Sequence, residues 1–236
     1  MTRDSIDMLM AVSARLTSLP RRIAFVGGAT TGLLVTDPAA APPRATLDLD
    51  LIVEVRDMSD YATSLGPELR RLGAREDDSE GAPLCRWTLE GVVIDIMPTD
   101  ARVLGFANRW YEAALASASS VELPNGARVP VVDAPHFVAT KIEAFRGRGG
   151  GDFLASKDIE DIVAILDGRL ELLDEIRAAG AELRAFLAES FVEWLDTPDF
   201  VEALPGHLPG SVDNYARAEW LEERIRRSIE AARQTS

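Results

Sequence analysis

The strongest constraint on this chain is a pair of carboxylates inside an apolar stretch with the length of a strand. The stretch reads Leu-Asp-Leu-Asp-Leu-Ile-Val, and alternating strand side chains put Asp48 and Asp50 on one face. The other face carries Leu47, Leu49 and Leu51. Two carboxylates about 7 Å apart along one face repel each other, and core strands rarely hold such a pair without compensation. A hard divalent cation such as Mg²⁺ is the simplest compensation.

A glycine pair lies upstream of these aspartates. Residues 23–26 are apolar and predict a strand, and Gly27 and Gly28 follow directly, before small residues that suit a helix. Glycine permits tight turning and close backbone approach. A helix beginning here would direct its amides and positive dipole end at a triphosphate, with Thr30 and Thr31 as hydroxyl donors. Taken alone, the pair is better explained by a simple strand-to-helix turn; the downstream aspartates favour the phosphate site.

In this order, the two motifs resemble a known signature. The sequence Gly-Gly-Ala at 27–29, followed by Asp-Leu-Asp at 48–50, resembles the Gly-Gly/Ser … Asp-x-Asp signature of the DNA polymerase beta-like nucleotidyltransferases. Arg-Ala-Thr at 44–46 is similar, more narrowly, to the AbiEii/AbiGii-type branch. The chain departs from the pattern in Ala29, where many members have Ser, and in a long Pro-rich loop at 37–43. We expect that loop to be an exposed connection.

A third carboxylate candidate stands in a later apolar strand. Two short strands, 84–89 and 92–97, are predicted on either side of the tight turn Glu90–Gly91. In the second strand Asp95 shares a face with Val93 and Met97, and burying an Asp unpaired among apolar residues is costly. The family's third metal-binding carboxylate lies on such a strand, so the resemblance implies that Asp95 joins Asp48 and Asp50. An Asp at an exposed sheet edge is the alternative.

Both lysines of the chain lie in its second half. Lys141 falls within the apolar stripe of a predicted helix, where a lysine must snorkel outward or reach a partner. Lys157 opens another helix, for which Ser156 is a suitable N-cap. These segments resemble the AbiEii-type Lys-with-Arg and Lys-Asp-x-x-Asp motifs. The matching residues are Lys141, Arg146, Arg148, Lys157, Asp158 and Asp161. The resemblance implies that Lys141 counters phosphate charge while Asp161 orients it or the acceptor; helix capping and an exposed acidic face are the alternative for Asp158 and Asp161.

The order of elements predicts an α/β (α+β) fold in two parts. A small mixed-sheet nucleotidyltransferase domain is expected over 1–133, followed by a helical domain over 134–236 that completes the nucleotide cleft. The boundary is placed near Asp133 because Pro135 starts a succession of helices. A chain of 236 residues is long enough to bury a substantial core in this arrangement.

Charge and cysteine content exclude several classes of protein. A net charge of −14 argues against a broad nucleic-acid surface, although a basic patch near Lys141 and Lys157 could hold a polyanion. Cys85 is the only cysteine, which excludes an intrachain disulfide and a cysteine zinc site. No apolar run approaches the ~20 residues of a membrane span, and the first residues lack a signal peptide's apolar core. We expect a cytoplasmic protein without a membrane partner.

The function implied by these features is transfer of a nucleoside monophosphate from an NTP to an acceptor. Asp48, Asp50 and Asp95 would hold one or two Mg²⁺, Asp95 would accept the acceptor's proton, and Lys141 with Arg146 would neutralise growing phosphate charge. The family resemblance implies a toxin-like enzyme acting on tRNA or another cellular target, with a separate cognate antitoxin. Nucleotidylation of a small molecule or a protein, and a catalytically silent nucleotide-binding module, are the alternatives.

Overall fold

The structure, a computed structural model, describes residues 3–105, 108–148, 151–208 and 214–234. Two compact units divide the chain. The first contains Met1–Gly32 and Arg44–Asp133, and the second contains Leu33–Pro43 and Ala134–Ser236.

The secondary structure is mixed. The helices are α1 (Arg3–Leu16), α2 (Thr31–Leu34), α3 (Met58–Asp60), α4 (Gly66–Arg71), α5 (Ala101–Leu104), α6 (Tyr111–Ser117), α7 (Ala134–Arg148), α8 (Lys157–Gly168), α9 (Leu172–Ala178), α10 (Ala181–Leu195), α11 (Pro198–Ala203) and α12 (Asn214–Arg233). The strands are β1 (Ile23–Val26), β2 (Asp48–Val53), β3 (Arg75–Glu76), β4 (Arg86–Leu89), β5 (Val92–Pro98), β6 (Ser119–Glu122) and β7 (Arg128–Val131). Short 3-10 turns at Gly28–Thr30 and Leu204–His207 and a π-helical turn at Tyr61–Leu65 complete the assignment.

The first unit is built on one sheet. Within the described residues seven strands pair in the order β3-β4-β5-β2-β1-β7-β6. The β2–β5 and β1–β7 pairs are parallel, and the other pairs are antiparallel. The predicted mixed-sheet α/β fold is therefore confirmed.

The alternation of β2 sets which side chains reach the core. Leu49 and Leu51 are fully buried, whereas Asp48 and Asp50 stay half-exposed on the opposite face, as predicted. The prediction for Leu47 is wrong: this residue precedes the strand and is 89% exposed. Side chains alternate between the two faces of a sheet only where the backbone is extended within the strand, and Leu47 lies before that point.

The β4–β5 hairpin has the predicted tight turn. Glu90 and Gly91 both adopt left-handed backbone conformations, with φ of 51° and 78°. Two successive positive φ values match the twist of a two-residue hairpin. The turn fixes the pairing of the two strands, which puts Arg86 directly opposite Asp95.

The second unit contains helices α7 to α12 and one segment from far upstream. Thr36 and Asp37 each donate a backbone N–H to the carbonyl of Gly168, both at 2.9 Å. The segment Leu33–Pro43 thus belongs with α8, and Pro43 itself is buried. Pro38, Ala39 and Pro42 are exposed, as predicted for the connection over 37–43, and Pro43 is the buried exception.

No helix among the described residues combines the length and the apolar character that a bilayer crossing requires.

Candidate functional site

Three carboxylates lie on one face of two neighbouring strands. Strands β2 and β5 are parallel, and their register pairs Asp50 with Asp95 and Asp48 with Val93. Directly paired residues of adjacent strands project to the same side of a sheet, so Asp48, Asp50 and Asp95 share the half-exposed face. Because β5 lies between β4 and β2, the alternative of an Asp at a sheet edge is wrong.

A cation from the chain itself contacts this face. The guanidinium of Arg86 holds Asp95 by two parallel hydrogen bonds, Nε to Oδ1 and Nη2 to Oδ2, each 2.8 Å long. The same Nη2 lies 3.9 Å from Oδ2 of Asp48. The hydrogen bonds to Asp95 raise the pKa of Arg86 above its ordinary value, so the guanidinium stays charged.

Arg86 is not among the site residues predicted from the sequence, although the sequence contains a signal for it. A two-residue turn at Glu90–Gly91 pairs the residues on either side of it in fixed steps, and the fourth pair outward is Arg86 with Asp95. Opposite charges on directly opposed residues stabilise the pairing of two antiparallel strands. Counting outward from the predicted turn would have found the partner.

Two further groups accommodate the carboxylates of β2. The buried hydroxyl of Thr46 donates to Oδ1 of Asp48 at 2.9 Å. Gly27 has a φ of 78°, and a Cβ at this position would lie 1.8 Å from Oδ2 of Asp50. The glycine therefore provides the space that the Asp50 carboxylate occupies, and the glycine motif and the aspartate motif form one structural unit.

The helix predicted after the glycine pair is present but short. A single 3-10 turn at Gly28–Thr30 runs into the four-residue helix α2. Both threonines proposed as phosphate donors are buried: Thr30 donates its hydroxyl to the carbonyl of Gly27 at 2.9 Å, and the Thr31 hydroxyl meets no hydrogen-bond partner among the described residues. Gly28 is buried as well. Nucleotide binding by these residues stays a prediction.

The donor chemistry of this face fits a hard cation. Carboxylate oxygens without thiolate or imidazole are the ligands that Mg²⁺ prefers. Across the described part of the chain, however, no three His, Cys, Asp or Glu side chains converge in a metal-binding arrangement. Asp48 and Asp50 are the residues that would hold the ion, and Asp95 would join them on release from Arg86.

The second unit holds a buried ion network between α7 and α8. The Lys141 ammonium is 3.2 Å from Asp158 Oδ1 and 2.6 Å from Asp161 Oδ2, and Lys141 is only 6% exposed. Arg148 donates to both oxygens of Asp158 at 3.2 and 3.3 Å. Burial opposes ionisation of Asp158, but the Lys141 and Arg148 charges outweigh it and hold its pKa below the usual value. Asp158 and Asp161 are buried, so the alternative of an exposed acidic face is wrong.

The remaining two predicted cations lie outside this network. Arg146 donates to Glu193 on α10, and its guanidinium lies 5.3 Å from the centre of the Phe186 ring. Lys157 is exposed, and no described side chain forms an ion pair with it. The structure therefore groups Lys141, Arg148, Asp158 and Asp161, and separates Arg146 and Lys157 from them.

Comparison with known proteins shows a similarity of fold. No protein-family model matches the chain, and no curated protein matches its sequence. JHP933 from Helicobacter pylori has a solved structure with 8% sequence identity and a TM-score of 0.50, over 98% of this chain and 94% of that one. A "putative nucleotidyltransferase" from H. pylori has 9% identity and a TM-score of 0.47, over 98% and 97% of the two chains. This chain and JHP933 share a fold, and the narrower AbiEii-type assignment stays a prediction.

Proposed function

We propose that this protein is a nucleotidyltransferase, which moves a nucleoside monophosphate from an NTP to an acceptor and releases pyrophosphate. The observation that carries the proposal is the shared face of Asp48, Asp50 and Asp95, around which Gly27 leaves space for a carboxylate. Three acids on one sheet face are costly to keep. A chain that also shapes its backbone around one of them is expected to use them.

The chain's own residues divide the work. Asp48 and Asp50 would hold the divalent ion, which would supply positive charge to the phosphates and lower the pKa of the acceptor hydroxyl. Asp95, once free of Arg86, would accept the proton of that hydroxyl. In the second unit, Lys141 is engaged by two carboxylates and would position Asp158 and Asp161, whereas Lys157 and Arg148 are largely exposed.

The acceptor proposed here is the end of a tRNA, with a cognate antitoxin that neutralises the enzyme. Its support is the AbiEii-type resemblance of the Gly-Gly, Asp-x-Asp and Lys-Asp-x-x-Asp segments. A chain with a net charge of −14 disfavours extended contact with RNA, so a short terminal segment is the part that would bind. A small molecule or a protein as acceptor uses the same chemistry.

The test follows a labelled α-phosphate. Incubation with labelled NTPs, Mg²⁺ and RNA, protein or small-molecule acceptors should give labelled product with the wild type, and at least about 100-fold less with Asp48→Asn, because catalysis by bound metal ions contributes several kcal/mol. Asp78→Asn removes one exposed carboxylate of a loop and should match the wild type. No product with any acceptor, together with NTP binding that is indifferent to Asp48→Asn, would contradict the proposal.

A second candidate, a silent nucleotide-binding module, is favoured by the pairing of Arg86 with Asp95. Such a module would be stabilised by Mg–NTP through mass action and would form no labelled product.

Expression in cells separates the acceptor classes: growth arrest that requires Asp48 supports the toxin-like enzyme, and harmless expression of an active enzyme supports a small-molecule or protein acceptor.

A further inference from the structure

A neighbouring strand supplies a cation to Asp48 and Asp95. The β4–β5 register puts Arg86 opposite Asp95, and the β2–β5 register puts Asp95 beside Asp50. We propose that Arg86 competes with the divalent cation for Asp95 and Asp48, and so sets the affinity of the carboxylate site for metal. This inference rests on the proposed function, because it assumes that the carboxylates bind a metal ion.

The geometry of the Arg86 contact is that of a strong ion pair. Two parallel hydrogen bonds of 2.8 Å engage both oxygens of Asp95, which leaves that carboxylate no oxygen free of the guanidinium. Planar two-point contacts between guanidinium and carboxylate are shorter and stronger than neutral hydrogen bonds. The Asp95 side chain is 15% exposed, so solvent screens the pair only partly.

The position of Arg86 limits which carboxylates a metal ion can reach. The single guanidinium of Arg86 contacts both Asp95 and Asp48. While it stays in place, Asp95 is not available as a ligand to a divalent ion. Additional or tighter binding at Asp95 requires the guanidinium to leave.

The anionic substrate offers Arg86 a different partner. A phosphate accepts the same two-point hydrogen bonds from a guanidinium as a carboxylate does. Transfer of Arg86 from Asp95 to a phosphate group would free Asp95 when the nucleotide arrives. Arg86 is therefore a positioning residue that couples nucleotide binding to completion of the carboxylate site.

The test measures metal affinity without turnover. Mn²⁺ is titrated into the full chain and free Mn²⁺ is followed by electron paramagnetic resonance, for wild type, Arg86→Gln and Arg128→Gln. Arg128 and Glu122 form an exposed ion pair near the opposite edge of the same sheet. Loss of Arg128 therefore changes the net charge by the same amount as loss of Arg86. A nearby charge changes proton binding to a carboxylate by roughly one to three powers of ten, and we expect Arg86→Gln to bind Mn²⁺ at least about tenfold more tightly, with Arg128→Gln close to the wild type.

The outcomes separate the inference from the proposed function. If the wild type binds Mn²⁺ through Asp48 and Arg86→Gln binds no more tightly than Arg128→Gln, competition by Arg86 is wrong while the metal site stands. If neither wild type nor Arg86→Gln binds Mn²⁺, the metal site and the inference both fail. Should Arg86→Gln not fold, Arg86→Lys decides, since a lysine keeps the charge without the two-point contact; we expect a metal affinity above the wild type, and an unchanged affinity overturns the inference.

Discussion

At the residue scale, Gly27 is the position on which the carboxylate face most directly depends. Its positive φ is one that residues with a side chain adopt at a cost, and the space beside it is filled by the Asp50 carboxylate. The cost of the positive φ and the cost of a clash with Asp50 are separate effects. A second glycine with a similar positive φ but no close neighbour allows the two costs to be measured separately.

We expect Gly27→Ala to lower the free energy of unfolding by about 2–4 kcal/mol, and Gly126→Ala by about 1 kcal/mol. Gly126 has a φ of 80° and no described atom within 4 Å of an added Cβ, so it reports only the backbone cost. Gly27→Ala adds overpacking against Asp50, typically about 1–3 kcal/mol. Urea unfolding of both variants measures the difference. Equal losses would show that Asp50 does not need the space.

Asp60 provides a pH-dependent contribution in the same unit. Its carboxylate accepts hydrogen bonds from Arg21 at 2.9 and 3.0 Å and from the backbone N–H of Arg56 at 3.0 Å, and is almost fully buried. The Arg21 contact is the main reason that the pKa of Asp60 lies well below its usual range. A depressed native pKa stabilises the fold above the unfolded pKa of about 3.9, and that contribution disappears as the pH falls through the native pKa.

We therefore expect Asp60→Asn to cost about 2 kcal/mol at pH 7, the usual size for hydrogen bonds to a charged group. The difference between wild type and variant should be constant above about pH 5 and shrink progressively below about pH 4. Denaturant unfolding of the two proteins at matched pH values gives this difference directly. A gap that widens on acidification would mean that Asp60 is protonated in the native state.

At the element scale, an ion pair joins helices α7 and α8. Its cation, Lys141, lies within an otherwise apolar stripe of α7. Lys141 projects from α7 to Asp158 and Asp161 on α8, and Asp161 is 1% exposed. Removing one member of a buried ion network leaves the others uncompensated. The prediction from sequence that this lysine must snorkel or find a partner is thereby resolved in favour of the partner.

Lys141→Met should lower the free energy of unfolding by about 3–5 kcal/mol, whereas Lys157→Met should stay within about 0.5 kcal/mol of the wild type because that side chain is exposed. Thermal and urea unfolding of the two variants provide the comparison. A Lys141→Met protein of unchanged stability that has lost NTP binding would instead identify Lys141 as a phosphate ligand.

Two helical glycines test how the segment Leu33–Pro43 is held. A Cβ on Gly168 of α8 would lie 2.8 Å from Val35 Cγ1 and 3.0 Å from Ala40 Cβ, whereas a Cβ on Gly147 of α7 would have no described atom within 4 Å. The upstream segment therefore packs directly on the glycine at the end of α8. Alanine is the better helix former, by about 1 kcal/mol in a helix interior.

We expect opposite signs for the two substitutions. Gly147→Ala should raise the free energy of unfolding by about 0.5–1 kcal/mol, and Gly168→Ala should lower it by about 1–2 kcal/mol because overpacking exceeds the gain in propensity. Differential scanning fluorimetry followed by urea titration resolves changes of this size. Stabilisation by both substitutions would show that the segment does not pack closely on Gly168.

At the scale of the whole molecule, the sheet joins residues that are far apart in sequence. Strand β2 lies between β1 and β5, so the aspartate pair has Asp95 on one neighbouring strand and the glycine motif directly after the other. The chain thus assembles its carboxylate face from local motifs, each recognisable by itself, through pairings that span tens of residues. Loop closure over such distances is opposed by entropy and depends on the core formed afterwards.

The amino-acid sequence by itself determined the local features. The alternation of polar and apolar residues set the faces of β2 and β5, and Glu90–Gly91 set the hairpin register. Ser156 marked the start of α8, where its hydroxyl accepts the Ile159 N–H. These features follow from the period of a strand, the conformational demands of a turn and the unpaired amides of a helix end, all of which act over a few residues.

Only the tertiary structure decided which of these charged groups meet. It paired Asp95 with Arg86, enclosed Asp158 and Asp161 around Lys141, and brought the segment Leu33–Pro43 to Gly168. Periodicity fixes the face on which a side chain lies but not the neighbour that covers that face. The neighbour depends on strand order and helix packing, which are set by burial of apolar surface over the whole chain.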